Sequence, residues 1–163
     1  MNDVIKTLAP TIKLLICDVD GVLTDGKITY TSEGHELKSF HAQDGVGLKR
    51  LMAAGIDVAI ITARKSAIVE RRMQELGIQD VYQGAREKLL AFDDVMRKLG
   101  FTADQVAYMG DDLPDIPVME KVALPIAVAN ATAAVKAIAK YETHILGGEG
   151  AVREVCDLLL SCQ

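Results

Sequence analysis

Residues 14–26 read LLICDVDGVLTDG. The run opens on four apolar residues and closes on acids and glycines, and 14–20 (LLICDVD) reads as a strand buried on both faces that ends in Asp18 and Asp20. Strands of that kind belong to parallel sheets covered by helices, and the sequence downstream agrees. First, 27–31 (KITYT) and 36–40 (ELKSF) alternate in character around Ser32-Glu33-Gly34-His35 and predict a β-hairpin where an α/β chain ordinarily has a helix. Strands and helices then alternate. A helix is predicted over 45–54, a strand at 57–62 (DVAIIT), a helix over 65–76 stopped by Gly77, a strand at 80–83 (DVYQ) and a helix over 85–98 stopped by Gly100. Strands at 106–110 (VAYMG) and 124–129 (LPIAVA) and helices over 132–140 and 149–161 complete the chain. The expected architecture for 1–163 is one α/β domain: a Rossmann-like parallel sheet with helices on both faces and a β-hairpin insertion after the first strand.

A single domain also suits the length of 163 residues. Acids outnumber bases 23 to 18, for a net charge of −5, and no Lys/Arg-rich run is present, so neither nucleic acid nor anionic lipid is an expected partner. The longest uncharged stretch, 122–135, has 14 residues and is interrupted by Pro125 and Asn130, too short to span a bilayer. The opening MNDVIKTLAP lacks the basic start and apolar core of a signal peptide, and a cytoplasmic protein is expected. Cys17, Cys156 and Cys162 show neither a disulfide framework nor zinc-ligand spacing; Cys17, inside an apolar run, is expected to be buried and inert.

Each strong strand ends in a reactive residue: Asp18 and Asp20 after the first, Thr62 after the second, Asp111 and Asp112 after VAYMG. Open α/β sheets bind ligands at the carboxyl ends of their strands, so residues about ninety positions apart are expected to meet. Five carboxylates gathered there (Asp18, Asp20, Asp111, Asp112, Asp115) repel one another unless a cation sits among them, and an all-oxygen ligand set of this hardness suits Mg²⁺. A carboxylate is also a nucleophile toward phosphorus: Asp18 would form an aspartyl-phosphate while Asp20 serves as acid and then base. Thr62 is suited to donate to a phosphoryl oxygen, and Lys88 to place positive charge beside it.

Two local matches fail on their context. Gly21 to Lys27 spells GxxxxGK, but Ile28 stands where a phosphate-loop protein needs Ser or Thr, and a hairpin follows instead of a helix. Gly45-Val-Gly47 begins a dinucleotide fingerprint, yet Arg50 occupies the third glycine position. A phospho-accepting receiver module shares the acids, Thr and Lys, but places its acid pair and acceptor ahead of the Thr and Lys, whereas here GDDLPD follows Lys88.

In order, DVDGVLTDG, Thr62 in IITAR, Lys88 and GDDLPD resemble the four motifs of the haloacid dehalogenase superfamily of phosphatases, from residue 14 to about 120. The resemblance implies Asp18 as nucleophile and metal ligand and Asp20 as acid/base and backbone-carbonyl ligand. It also implies Asp111 as the remaining Mg²⁺ ligand, Thr62 and Lys88 on phosphate, and Asp112 or Asp115 in support. Thr62 stands 44 positions after Asp18 and Lys88 26 after Thr62, intervals without room for the cap domain common in that superfamily. With HAQDGVGLK, ITARKS and GGEGAVREVCDLLL included, nearly the whole chain is similar to the small tetrameric members acting on 3-deoxy-D-manno-octulosonate 8-phosphate in lipopolysaccharide synthesis. Phosphatases of nine-carbon sialic-acid phosphates are the alternative. This closer resemblance implies a sugar-acid phosphate substrate and a homotetramer whose neighbouring subunits complete the site. Arg64 is expected to pair with the substrate carboxylate. Ile28, Tyr30, Leu37 and Phe40 on the hairpin are expected to form either an oligomer surface or a face packed on their own domain. Gly147-Gly148-Glu149-Gly150 either leads into a mobile tail able to enter a cleft or forms the N-cap loop of a helix, and His41 either touches substrate or packs.

Overall fold

The computed structural model describes residues 3–163. In chain order the elements are α1 (Asp3–Leu8), β1 (Leu14–Cys17), β2 (Thr29–Tyr30), β3 (Glu36–Leu37), α2 (Ala42–Ala53), β4 (Asp57–Thr62), α3 (Ala67–Leu76) and β5 (Asp80–Gln83). They continue with α4 (Lys88–Leu99), β6 (Val106–Gly110), α5 (Ile116–Met119), β7 (Leu124–Ala127), α6 (Ala133–Ile138), β8 (Tyr141–Glu142) and α7 (Ala151–Leu160). Six strands form one sheet in the order β5-β4-β1-β6-β7-β8, every pair parallel. β2 and β3 form the separate antiparallel hairpin, with Thr29 opposite Leu37.

Two helical layers cover the sheet, α2 packing against α3 and α7, and α4 against α5, which in turn meets α6. The apolar run of β1 has the central place that its composition demands: all four residues are fully buried, between β4 on one side and β6 on the other. β4, β5 and β6 have the bounds their sequences predict, and α3 and α4 end at Gly77 and Gly100, both left-handed.

The differences fall at edges and short elements. β1 ends at Cys17 instead of 20, because beyond Asp18, whose N–H still bonds to Met109 O at 3.1 Å, the backbone turns to pair with itself: Val22, Leu23 and Thr24 all donate to Val19 O. The hairpin strands are two residues each, α2 starts at Ala42 with His41 at its N-cap, and α4 starts only at Lys88. α1, α5 and β8, each six residues or fewer, are too short for a periodic signal to register.

Of the two readings of the glycine-rich segment, the helix N-cap loop holds, with Gly150 the N-cap of α7. Residues 147–163 are no mobile tail: α7 buries Ala151, Val152, Val155, Cys156 and Leu159 and lies along α2. The glycines ahead of it are wedged against the loop after β1. Gly148 N–H donates to Val22 O at 2.9 Å, Gly147 N–H to Asn130 Oδ1 at 2.7 Å, and a Cβ on Gly147 would stand 1.7 Å from Gly21 O. The segment is glycine-rich because backbone meets backbone there.

Candidate active site

The sheet register assembles the site. Cys17 lies beside Ile60 of β4 and Met109 of β6, so the next residue, Asp18, emerges between the ends of those strands, where Thr62 and Asp111 also emerge. A cleft of about 240 Å³ opens there, and Asp18, Asp20, Thr62, Arg64, Lys88 and Asp111 all line it. A larger hollow of about 1070 Å³, bounded by Ser66, Gln74, Gln83 and Lys98, contains none of them and lies away from the chemistry.

Lys88, the first residue of α4, drives a side chain only 2% exposed into the cleft floor, where Nζ lies 2.9 Å from Asp18 Oδ2 and 2.7 Å from Asp115 Oδ1. Burial pulls the pKa of this ammonium down, but the two carboxylates outweigh it and hold it above its ordinary value. Asp115 is the frame of the arrangement. Its Oδ1 also accepts from Tyr108 OH at 2.7 Å, and its Oδ2 accepts the N–H groups of Asp111 at 3.0 Å and Asp112 at 3.2 Å. A carboxylate has about four acceptor directions, and those of Asp115 are all occupied.

Asp18 and Asp111 are the strained acids. Burial, aggravated by Asp115 and offset in part by Lys88, pushes Asp18 up to about 6. Burial, with Asp18 and Asp115 adding repulsion, pushes Asp111 up to about 7. Gly21 lets them approach: its φ is +97°, and a Cβ there would stand 2.0 Å from Asp111 Oδ2. One oxygen each from Asp18, Asp111 and Asp115 fall within 4.8 Å of one another. With Asp115 committed to its donors, Asp18 and Asp111 are the pair left to hold an ion. Two hard, mutually repelling carboxylates fit Mg²⁺, which shares its remaining positions with waters and substrate oxygens.

All five acids line the cleft, as expected, but only Asp18, Asp111 and Asp115 bring carboxylate oxygens together. The Asp20 carboxylate turns away from the cluster toward the hairpin, where Lys38 donates to its Oδ1, and Asp112 caps the short turn after β6, accepting from Leu113 N–H at 2.8 Å. Arg64, 43% exposed, does reach the cleft, but its Nη2 is on Glu36 Oε1 at 2.9 Å and its Nε lies 3.8 Å from Asp20 Oδ2. Thr62 is buried at the end of β4. His41 packs beside Gly150, its Nδ1 buried without a hydrogen-bond partner. Cys17 is buried and its thiol is pushed well up by burial, inert as expected. Lys38, Glu36 and Ser66 carry no motif and escape a sequence reading. The available signal was the hairpin's alternation, which puts Glu36 and Lys38 on one strand face.

The chain matches the family model of haloacid dehalogenase-like hydrolases over residues 78–150. It is 54% identical over 159 residues to the 3-deoxy-D-manno-octulosonate 8-phosphate phosphatase of Salmonella typhi, a match covering 98% of this chain and 85% of the relative. The crystal structure of the enzyme of that name from Yersinia pestis superposes with a TM-score of 0.98 at 48% identity, covering 100% of this chain and 88% of the other. The Moraxella catarrhalis phosphatase, solved with a magnesium ion, a phosphate ion and a KDO molecule, gives a TM-score of 0.96 at 48% identity, covering 100% and 93%.

Proposed function

Because this chain belongs to the haloacid dehalogenase-like hydrolases, we propose that its cleft hydrolyses a phosphate monoester through a phosphorylated Asp18, with Mg²⁺ as cofactor and 3-deoxy-D-manno-octulosonate 8-phosphate as substrate, in lipopolysaccharide synthesis. The reaction rests above all on the Asp18 carboxylate, held on Lys88 within 4.8 Å of Asp111; the choice of substrate rests on 54% identity over nearly the whole chain.

A carboxylate oxygen of Asp18 bonds to phosphorus as the bond from phosphorus to the sugar oxygen breaks, and Asp20 gives its proton to that departing oxygen. Asp20, now a carboxylate, takes a proton from water. The water oxygen attacks phosphorus, the bond to Asp18 breaks, and inorganic phosphate leaves with both acids restored. Lys88 fixes the nucleophile and sets positive charge beside the phosphoryl oxygens, to one of which Thr62 donates. Asp18, Asp111 and the backbone carbonyl of Asp20 would hold Mg²⁺, which when bound neutralises negative charge on the transferring group. Arg64, half-exposed on the cleft wall with its Nη2 on Glu36, would pair with the carboxylate of the sugar acid.

The chain is read as one capless domain over 1–163, since only the hairpin and α2 lie between β1 and β4. A cleft without a lid grips a small substrate poorly, and Ile28, Tyr30 and Leu37 on the hairpin are 44%, 58% and 53% exposed. Both features favour self-association, and the assembly read here is a homotetramer in the cytoplasm in which neighbouring hairpins complete each site. No helix among the described residues is long and apolar enough to cross a membrane.

The test is phosphate release from 3-deoxy-D-manno-octulosonate 8-phosphate and from a nine-carbon sialic-acid phosphate, each with Mg²⁺ and with EDTA. Multiple turnover of the eight-carbon ester, stopped by EDTA, is expected. Faster turnover of the nine-carbon ester would reassign the substrate, and a stable phosphoprotein without turnover would make the chain a signalling module.

A further inference from the structure

Asp20 is aimed from the hairpin. Lys38, immediately after β3, has a side chain 1% exposed, and its Nζ donates to Asp20 Oδ1 while lying 3.6 Å from Glu36 Oε1. Glu36 is fixed in turn: Oε1 accepts from Arg64 Nη2 at 2.9 Å and Oε2 from Ser66 Oγ at 2.8 Å, both residues lying just after β4. Two carboxylates, two cations and a hydroxyl thus form a closed, charge-balanced set beside the cleft, which Asp20 and Arg64 line. A lysine ammonium is almost never buried to this extent without partners, and here its partners are one acid that belongs to the site and one that anchors it to the sheet.

The consequence concerns direction. Asp18, Asp111 and Asp115 share one cluster, whereas the Asp20 carboxylate, only two residues from Asp18, stands outside it on Lys38. An acid that protonates the leaving oxygen has to lie on the far side of phosphorus from the nucleophile, within hydrogen-bond reach of the departing atom. We propose that Lys38 is a positioning residue for the phosphatase reaction: it holds the Asp20 carboxylate away from the metal-binding acids and toward the leaving group, with Glu36, Arg64 and Ser66 as its anchor on the core domain. This rests on the reading of Asp20 as the acid/base given above. Lys38 itself is not required to touch substrate.

Leaving-group chemistry tests this directly. A sugar alkoxide is strongly basic and needs its proton as the ester bond breaks, whereas p-nitrophenolate departs without one. With Mg²⁺ present, Lys38→Met is expected to lower kcat on 3-deoxy-D-manno-octulosonate 8-phosphate by about 100-fold, the scale of a general acid's contribution, and on p-nitrophenyl phosphate by less than about 5-fold. Lys38→Arg, which keeps a charged donor, is expected to recover most of the loss on the sugar ester. Equal loss on both esters, or an unchanged kcat with a raised KM on the sugar ester, would overturn the proposal. Lys38→Gln decides by the same two ratios if the Met variant does not fold. Asp20→Asn measured in parallel separates the two levels: if it shows the ester-dependent loss and the Lys38 variants do not, the positioning role alone fails. If Asp20→Asn shows no such dependence, the acid/base reading fails and the proposal with it.

Discussion

Asp18 and Lys88 form the contact on which the proposed chemistry depends, 2.9 Å apart with side chains 11% and 2% exposed. Asp18→Asn keeps the shape and a polar partner for Lys88 but removes the nucleophile, so phosphate release is expected to fall by at least about 1000-fold while circular dichroism is unchanged. The raised carboxyls set a second expectation. In the metal-free protein Asp18 and Asp111, at about 6 and about 7, take up protons at a higher pH than they do in the unfolded chain, whose aspartates titrate near 3.8. The folded state therefore binds more protons across pH 7 to 4, and stability gained by protonation is lost as pH rises through 6 to 7. Thermal melts in EDTA should accordingly rise in midpoint between pH 8 and pH 5. Protons compete with the cation for the same oxygens, so the Mg²⁺ concentration for half-maximal activity should increase as pH falls from 8 to 6. A melting midpoint and Mg²⁺ requirement both flat across that range would remove the acid pair from the metal site.

Among the elements, α7 has the role least apparent from its sequence. Its GGEG lead-in has the composition of a flexible linker, yet Gly147 and Gly148 lock onto Gly21, Val22 and Thr24, the loop that carries the acids, and the helix behind them is core. Removing 147–163 is expected to abolish folding and not merely to alter substrate affinity. Leu159→Ala, in a fully buried site, should cost about 2–5 kcal/mol in urea unfolding. A truncated chain with native circular dichroism would contradict this. The hairpin is the opposite case, a two-residue pairing too slight to be stable alone, with Leu37 exposed and Glu36 and Lys38 paired to Arg64, Ser66 and Asp20.

For the whole molecule, the exposed hairpin and the lidless cleft belong together. A chain of 17.6 kDa that presents Ile28, Tyr30 and Leu37 to solvent has a surface suited to its own copies. Sedimentation is expected to give a particle of four chains, and Tyr30→Glu with Leu37→Glu should split it to monomers with a raised KM for the sugar ester. A wild-type monomer of full activity would leave the open cleft sufficient by itself.

Much of this was legible in the sequence for a physical reason. A strand buried on both faces must be continuously apolar, and β1, β4 and β6 therefore announce themselves, as do the polar residues that break each run at its carboxyl end, acids after β1 and β6 and Thr62 at the end of β4. Parallel topology then obliges Asp18, Thr62 and Asp111 to emerge on one edge of the sheet. Directions of side chains were a different matter. That Asp20 turns to Lys38 while Asp115 frames Lys88, that Asp112 merely caps a turn, and that a glycine-rich tail is a wedge depends on contacts between segments far apart in the chain. Local pattern reports which face of an element is apolar; which charge meets which is decided only when packing has excluded the water that would otherwise satisfy them.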